Sequence, residues 1–234
     1  MWLGDRHDGA AVVKPVETLA VASAPDGSVV RLYRHDGAYL MVVDGVELMS
    51  TRRVHSEVQL AALACASLQG KAAVSVLIGG LGFGATLRAA LVALTADARV
   101  VVAEIMQDVI DWNLRADWAL AGDAMHDPRV VMRRADVIDV LRENVGGFDA
   151  IMLDVDNGAE SFTTGSNRKL YGEKGIRQAA AALKPGGTLA YWSVDTEPAF
   201  VRALKREGLA TAVHKVRSHA TSGGYNCIIL ARRA

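Results

Sequence analysis

The sequence predicts an α/β protein in which a small N-terminal antiparallel β-domain precedes a mostly parallel sheet of seven strands, the last of them antiparallel. Three observations predict it. The stretch Val74-Ser-Val-Leu-Ile-Gly-Gly-Leu-Gly-Phe-Gly-Ala-Thr-Leu-Arg88 reads as strand, glycine turn and helix. From residue 74 onward, apolar strand-type runs alternate with helical stretches, the pattern of a parallel sheet with right-handed crossovers. Between residues 16 and 50, β-rich runs are instead separated by Asp26-Gly27, Asp36-Gly37 and Asp44-Gly45, and Asp-Gly between such runs is a hairpin signal. The expected division is residues 1–52 and residues 53–234.

Taken in order, residues 1–15 read as poorly ordered, and Val29–Tyr33 and Tyr39–Val43 as strands of the small sheet. A sheet of that size buries little alone, so it is expected to act as a lid on the main domain or as a dimer element. Ser56-Glu-Val-Gln59 has the spacing of a capping box, and the helix it opens runs through Leu60, Leu63, Ala64 and Leu68 until Gly70 stops it. His55 and Glu57 stand where this helix begins, as a solvated start or as a substrate-binding pair. Helix 86–94 follows the glycine turn, and Arg99–Glu104 is a buried strand. In the next helix, 107–121, Asp108, Asp111, Arg115 and Asp117 read as a solvated face, and Trp112 and Trp118 as core rings or a cover for an adenine. Strand 129–134, helix 137–144 and strand 148–154 continue the alternation. Helix 173–183 runs into a Lys184-Pro185-Gly186-Gly187 turn before strand 188–194. Helix 196–207 and two closing strands, 210–218 and 224–232, complete the chain.

Composition narrows the partner. Lys+Arg and Asp+Glu both number 26, so no basic surplus points to nucleic acid and no polybasic anchor to a membrane surface. Apolar residues make up 51% of the chain, yet no stretch approaches the ~20 needed to span a bilayer. Met1-Trp-Leu-Gly-Asp-Arg-His-Asp lacks the apolar core of a secretory leader. Cys65 and Cys227 lie in apolar segments, as buried reduced thiols of a cytoplasmic protein would. A small molecule is the expected partner.

The glycine turn shows where it binds. Gly80-Leu-Gly82-Phe-Gly84 spaces its glycines as G-x-G-x-G rather than G-x-G-x-x-G, which suits an adenosyl group without a pyrophosphate. Glycines permit a sharp turn and close approach of a ligand, while the following helix offers free N–H groups. Glu104 ends the second strand about 20 residues later, where a carboxylate accepts ribose hydroxyls. Asp136 follows the third strand, either as the acceptor for an adenine amine or as a helix N-cap. Asp154 and Asp156 emerge from the fourth strand into the same crevice, because ligands of such sheets bind beyond the carboxyl ends of the strands. Residues 157–169 read as a mobile loop over the site.

These residues together resemble the spermidine synthase (polyamine aminopropyltransferase) family, a branch of the Rossmann-like class I S-adenosylmethionine-dependent methyltransferase fold. The resemblance rests on the small β-domain, His55/Glu57, the glycine loop with Thr86-Leu87-Arg88, Glu104, Asp127-Pro128-Arg129-Val130, Asp136, Asp154 and Leu183-Lys-Pro-Gly-Gly187. It implies a transferase of alkyl groups, aminopropyl in that family, from S-adenosylmethionine or its decarboxylated form to a small amine, without a metal. Asp154 matches the family's general base, with Asp156 and Glu57 gripping the amine, and a homodimer is implied. Two departures stand out. The family's loop resembles G-G-G-D-G-G-T-L-R, and Phe83 takes the place of its acid; the D-x-x-D after the fourth strand is Asp154-Val-Asp156-Asn157 here. Phe83 keeps open a methyltransferase using ordinary S-adenosylmethionine, and the two altered acidic positions keep open a non-catalytic nucleotide-binding protein.

Overall fold

The computed structural model describes residues 15–155 and 167–233. Strands β1 (Val16–Ser23), β2 (Val29–His35), β3 (Ala38–Val43) and β4 (Val46–Ser50) pair in chain order as an antiparallel sheet. Asp36 and Gly37, then Asp44 and Gly45, take positive φ in its two tightest turns, as two-residue hairpin loops demand. One face of the sheet turns inward, and Val30, Leu32 and Met41 join a core shared with the main domain. The small sheet therefore packs on its own chain.

After α1 (His55–Cys65), the main sheet is laid down as β5 (Ser75–Gly79), α2 (Ala85–Ala93), β6 (Arg99–Glu104), α3 (Gln107–Leu114), β7 (Val130–Arg134), α4 (Val137–Glu143) and β8 (Phe148–Leu153). Helices α5 (Asn167–Tyr171) and α6 (Glu173–Ala182), β9 (Leu183–Ser193), α7 (Pro198–Arg206), β10 (Ala210–Arg217) and β11 (Tyr225–Arg232) follow. The strand order is β10-β11-β9-β8-β5-β6-β7, and β11 alone runs antiparallel to its neighbours. The seven strands and the reversed last one agree with expectation.

Alternation along each central strand splits the core in two, since successive side chains point to opposite faces. Val76, Ile78, Val100, Val102 and Met152 meet α1, α2, α3 and the small sheet on one face. Leu77, Val101, Ile151, Leu153 and Tyr191 meet α4, α6 and α7 on the other. Both faces are covered, which is why these strands read as unbroken apolar runs. Cys65 and Cys227 are buried free thiols, Trp112 and Trp118 are core rings, and Asp108, Asp111, Arg115 and Asp117 lie in solvent. No helix among the described residues is long and apolar enough to cross a membrane.

Four local expectations need correction. The capping box does not form: Val54 is the N-cap of α1, and Ser56, buried within the first turn, donates its hydroxyl to Glu57 at 2.6 Å. The helix expected over 107–121 stops at Leu114; Arg115 becomes extended, stacks on Trp118 and lets that ring fold back into the core. Pairing of β9 already begins at Leu183, with Lys184–Gly187 bulging out between the Phe148–Leu183 and Ala150–Thr188 pairs. The end of the expected loop 157–169 is helical, as the first turn of α5. The rest of that loop, Asp156 and residues 1–14 lie outside the described residues.

The Asp127–Arg129 pair joins α2 to β7. Arg129 donates to Asp127 through Nε and Nη2, and through Nη1 to the carbonyls of Leu91, Leu94 and Thr95. The Arg129 guanidinium bonds, with the Arg129 backbone N–H that also donates to the same carboxylate, hold the Asp127 carboxyl down at about 2, from an ordinary 3.8. A depressed carboxyl stabilises the fold above its ordinary value, and that contribution is lost as pH falls through the depressed one. Asp127→Asn is therefore expected to lower the melting temperature at neutral pH. The gap from the unsubstituted chain should close between about pH 4 and pH 2, which thermal melts in acid steps would show.

Candidate active site

The topology makes one crevice. β6 and β7 extend from β5 in one direction, and β8 and β9 in the other, so the loops leaving β5 and β8 part at the switch point where ligands of such sheets bind. There, the Gly80 N–H donates to Ala103 O at 2.8 Å and the Asp154 N–H to Gly79 O at 2.9 Å.

The glycines serve the chain's approach to itself as much as a ligand. Gly80 has φ +88°, and a Cβ on it would lie 2.3 Å from the Asp154 carbonyl oxygen. Gly82 has φ +50°, and its Cβ would fall 2.9 Å from the Met49 sulfur, so the small sheet touches the loop here. Gly84, φ +70°, begins α2 against Ala121. Gly80→Ala combines left-handed backbone strain, which costs about 1–3 kcal/mol, with overlap on a backbone oxygen that cannot move alone. Scanning calorimetry is expected to show a melting temperature lower by roughly 5 °C or more; an unchanged one would contradict the packing described.

A cavity of about 160 Å³ lies between the carboxyl ends of the strands and the small sheet. Gly80, Gly82, Glu104, Asp136, Asp154 and Glu57 all line it. Gly84 and His55 do not. The Glu104 carboxylate, only 8% exposed, accepts the Leu81 N–H at 3.0 Å and the Met106 N–H at 2.9 Å, which fixes its orientation at the wall. Asp136 proves to be both a lining residue and the N-cap of α4, accepting the Ile138 N–H at 2.9 Å. Asp154 accepts the Thr86 hydroxyl at 2.8 Å, so the first turn of α2 orients it. Burial pushes the Glu57 carboxyl above its ordinary value, while the Ser56 hydroxyl, Arg53 and His55 pull the other way.

Phe83 is 3% exposed and packs in the core, so its ring does not line the cavity. Arg88 holds the loop behind it, donating to Phe83 O at 2.9 Å and Leu120 O at 2.6 Å. The small sheet was expected as a lid or a dimer element, but the sequence did not show which residues make the roof, Met41, Val43, Leu48 and Met49, nor Trp192, which lines the cavity from the end of β9. The Trp192 signal was its place at the end of the expected strand 188–194, in line with Glu104 and Asp154 on theirs.

Every charged side chain among the described lining residues is a carboxylate: Glu57, Glu104, Asp136 and Asp154. Within apolar walls, grouped carboxylates favour a cationic ligand, since like charges destabilise one another until a counter-charge arrives. Among the described residues, no group of three or more His, Cys, Asp or Glu side chains is placed to hold a metal ion.

No protein-family profile matches the chain. It is 31% identical over 151 residues to the polyamine aminopropyltransferases of two strains of Leptospira biflexa serovar Patoc, a match covering 64% of this chain and 51% of each relative. The chain thus spans about half the length of those curated relatives. Among solved structures it resembles the spermidine synthase from Thermotoga maritima, with TM-score 0.74 and 19% identity over 93% of this chain and 73% of that one. A spermidine synthase bound to the transition-state analogue AdoDATO matches with TM-score 0.73, 19% identity and the same coverage. A probable spermidine synthase from Corynebacterium glutamicum matches at 0.62 and 18%, over 92% and 79%. The resemblance read from the motifs and the similarity found by comparison coincide, and the structural likeness establishes the spermidine synthase-like, class I methyltransferase-type fold.

Proposed function

We propose that the chain is an aminopropyltransferase, binding decarboxylated S-adenosylmethionine and moving its aminopropyl group to a small amine. The observation that carries this reading is the set of four carboxylates lining one cavity with no lysine, arginine or histidine among the described lining residues. Decarboxylated S-adenosylmethionine brings two positive charges, a sulfonium and an ammonium. Ordinary S-adenosylmethionine adds a carboxylate that these walls would repel. The methyltransferase alternative drew on Phe83, and a ring buried in the core gives it no support.

In this reading Glu104 accepts the ribose hydroxyls and Asp136 an adenine amine, beside Gly80 and Gly82. The acceptor amine is protonated near neutral pH, since its nitrogen resembles lysine in basicity. Asp154 takes a proton from it. The freed lone pair attacks the propyl carbon bound to sulfur, the carbon–sulfur bond breaks, and its electron pair stays on sulfur to give methylthioadenosine. The sulfonium is already activated, so proximity and in-line orientation supply much of the rest. Glu57, with His55 acting through it, holds the amine, and Asp156 is assigned the same task from the family likeness. The buried free thiols fit a reducing cytoplasm. Calorimetry tests the donor: tighter binding of decarboxylated S-adenosylmethionine is expected, and preference for the carboxylated form would instead support methyl transfer.

A homodimer through the small sheet belongs to the same proposal. β1 and β4 are its open edges, and Val16, Val21 and Val46 on them are exposed. Light scattering at micromolar concentration is expected to give twice the chain mass. A monomer mass would leave the sheet as a lid alone.

A further inference from the structure

A loop with glycines at 79, 80, 82 and 84 has little side-chain restraint of its own, and its shape is held bond by bond. Gly79 O accepts the Asp154 N–H, the Gly80 N–H donates to Ala103 O, the Leu81 N–H to Glu104, and Leu81 O accepts the Gly84 N–H at 2.8 Å. Arg88 holds Phe83 O. None of these bonds reaches the Gly82 carbonyl. Its one partner among the described residues is the side-chain amide of Asn113, in the last turn of α3, whose Nδ2 donates to it at 2.8 Å from 31 residues along the chain.

Asn113 carries a cost of its own. It is 4% exposed, and its Oδ1 is buried with no partner among the described residues, which destabilises a fold. Nδ2 also donates to Val109 O at 2.8 Å, but that carbonyl lies four residues back on the same helix, where the backbone N–H is the ordinary donor. An apolar side chain would fill this core position, beside Ile110 and Trp112, without an orphaned oxygen. Holding Gly82 is what the amide alone does. Gly82 lines the cavity and meets the small sheet at Met49, in a conformation, φ +50°, that glycine leaves readily. A trans peptide keeps its C=O and N–H on opposite sides. Without Asn113 the peptide joining Gly82 to Phe83 is free to turn over, which changes the wall that a nucleotide meets.

We infer that Asn113 is a positioning residue for the donor site, fixing the peptide between Gly82 and Phe83 before the ligand arrives and so setting donor affinity rather than the rate of transfer. This role rests on the transfer reading only for the presence of an adenosyl donor in the cavity, and is tested apart from it. Asn113→Leu keeps the size of the side chain and removes both donors. Calorimetry with decarboxylated S-adenosylmethionine is expected to show a Kd raised about fivefold or more, the worth of a neutral hydrogen bond, while kcat at saturating donor stays within about twofold. In the free protein, amides of residues 80–84 should exchange with solvent roughly fivefold faster, with those of β5 and β6 unchanged. Ile110→Val, which thins the same core one turn away, controls for general loosening and should leave the Kd within about twofold. Asn113→Ala, smaller than asparagine, takes the place of the leucine variant if that one does not fold, and is read by the same limits. A Kd within about twofold of the unsubstituted chain overturns the inference, as does unchanged exchange at residues 80–84 or an equal rise in Kd in Ile110→Val. If the unsubstituted chain binds no adenosyl nucleotide, the transfer reading fails; exchange at the loop then still decides whether Asn113 holds it, faster exchange upholding that role and unchanged exchange rejecting it.

Discussion

Asp154→Asn is expected to slow transfer by about 10²–10⁴-fold, the usual contribution of a positioned general base, with nucleotide affinity nearly unchanged. The cause is the proton on the acceptor nitrogen. A protonated amine has no lone pair to attack with, and its basicity near that of lysine leaves little free base at neutral pH. Asp154 stands where the cavity meets the switch point, oriented by the Thr86 hydroxyl at 2.8 Å. Asparagine keeps a carbonyl oxygen for that hydroxyl, so the loop and the fold should survive while the proton acceptor is lost. Single-turnover rates across pH 6–10 would show the deficit shrink as rising pH deprotonates the amine in solution. A variant with the original rate at pH 7 would remove Asp154 from the chemistry.

Glu104→Ala is expected to weaken adenosyl binding by tenfold or more, because a hydrogen bond to a charged acceptor contributes ~1.5–3 kcal/mol. It should also weaken the loop. The same carboxylate accepts the Leu81 and Met106 N–H groups, and alanine leaves both without that partner near the cavity wall. Asp136→Ala removes the α4 cap as well as the adenine contact, so its affinity loss should come with a modest loss of stability. Calorimetry with decarboxylated S-adenosylmethionine, paired with thermal melts, separates the two effects. Glu104→Gln keeps one acceptor oxygen, so it should recover more melting temperature than affinity. Unchanged affinity in both alanine variants would make the glycine loop a structural turn only.

What the chain alone disclosed follows from how locally each feature is encoded. The seven-stranded sheet was legible because β5, β6 and β8 are buried on both faces and so carry unbroken apolar runs, while glycines and acids mark their carboxyl ends. Asp36-Gly37 and Asp44-Gly45 announced the small sheet by the same local logic. Features set by distant contacts were less legible. Trp118 ends α3 early because its ring is drawn into a core that no neighbouring residue describes. Ser56 has the right spacing for a cap but is buried toward Glu57 and Asn226 instead. Gly82 reads as a place for a ligand, yet the atom nearest its missing Cβ is the sulfur of Met49, 33 residues earlier in the chain. A lid was among the expectations for the small sheet, but nothing local in β3 or β4 marks Met41, Val43, Leu48 and Met49 as the residues that face the carboxyl ends of the strands.

Aminopropyl transfer by this chain is tested most directly by the product of one incubation. Decarboxylated S-adenosylmethionine mixed with the protein and a range of mono- and diamines, analysed for methylthioadenosine, should show release that depends on the amine, on the protein and on Asp154. No release with any amine, or release of S-adenosylhomocysteine from ordinary S-adenosylmethionine instead, would contradict aminopropyl transfer by this chain.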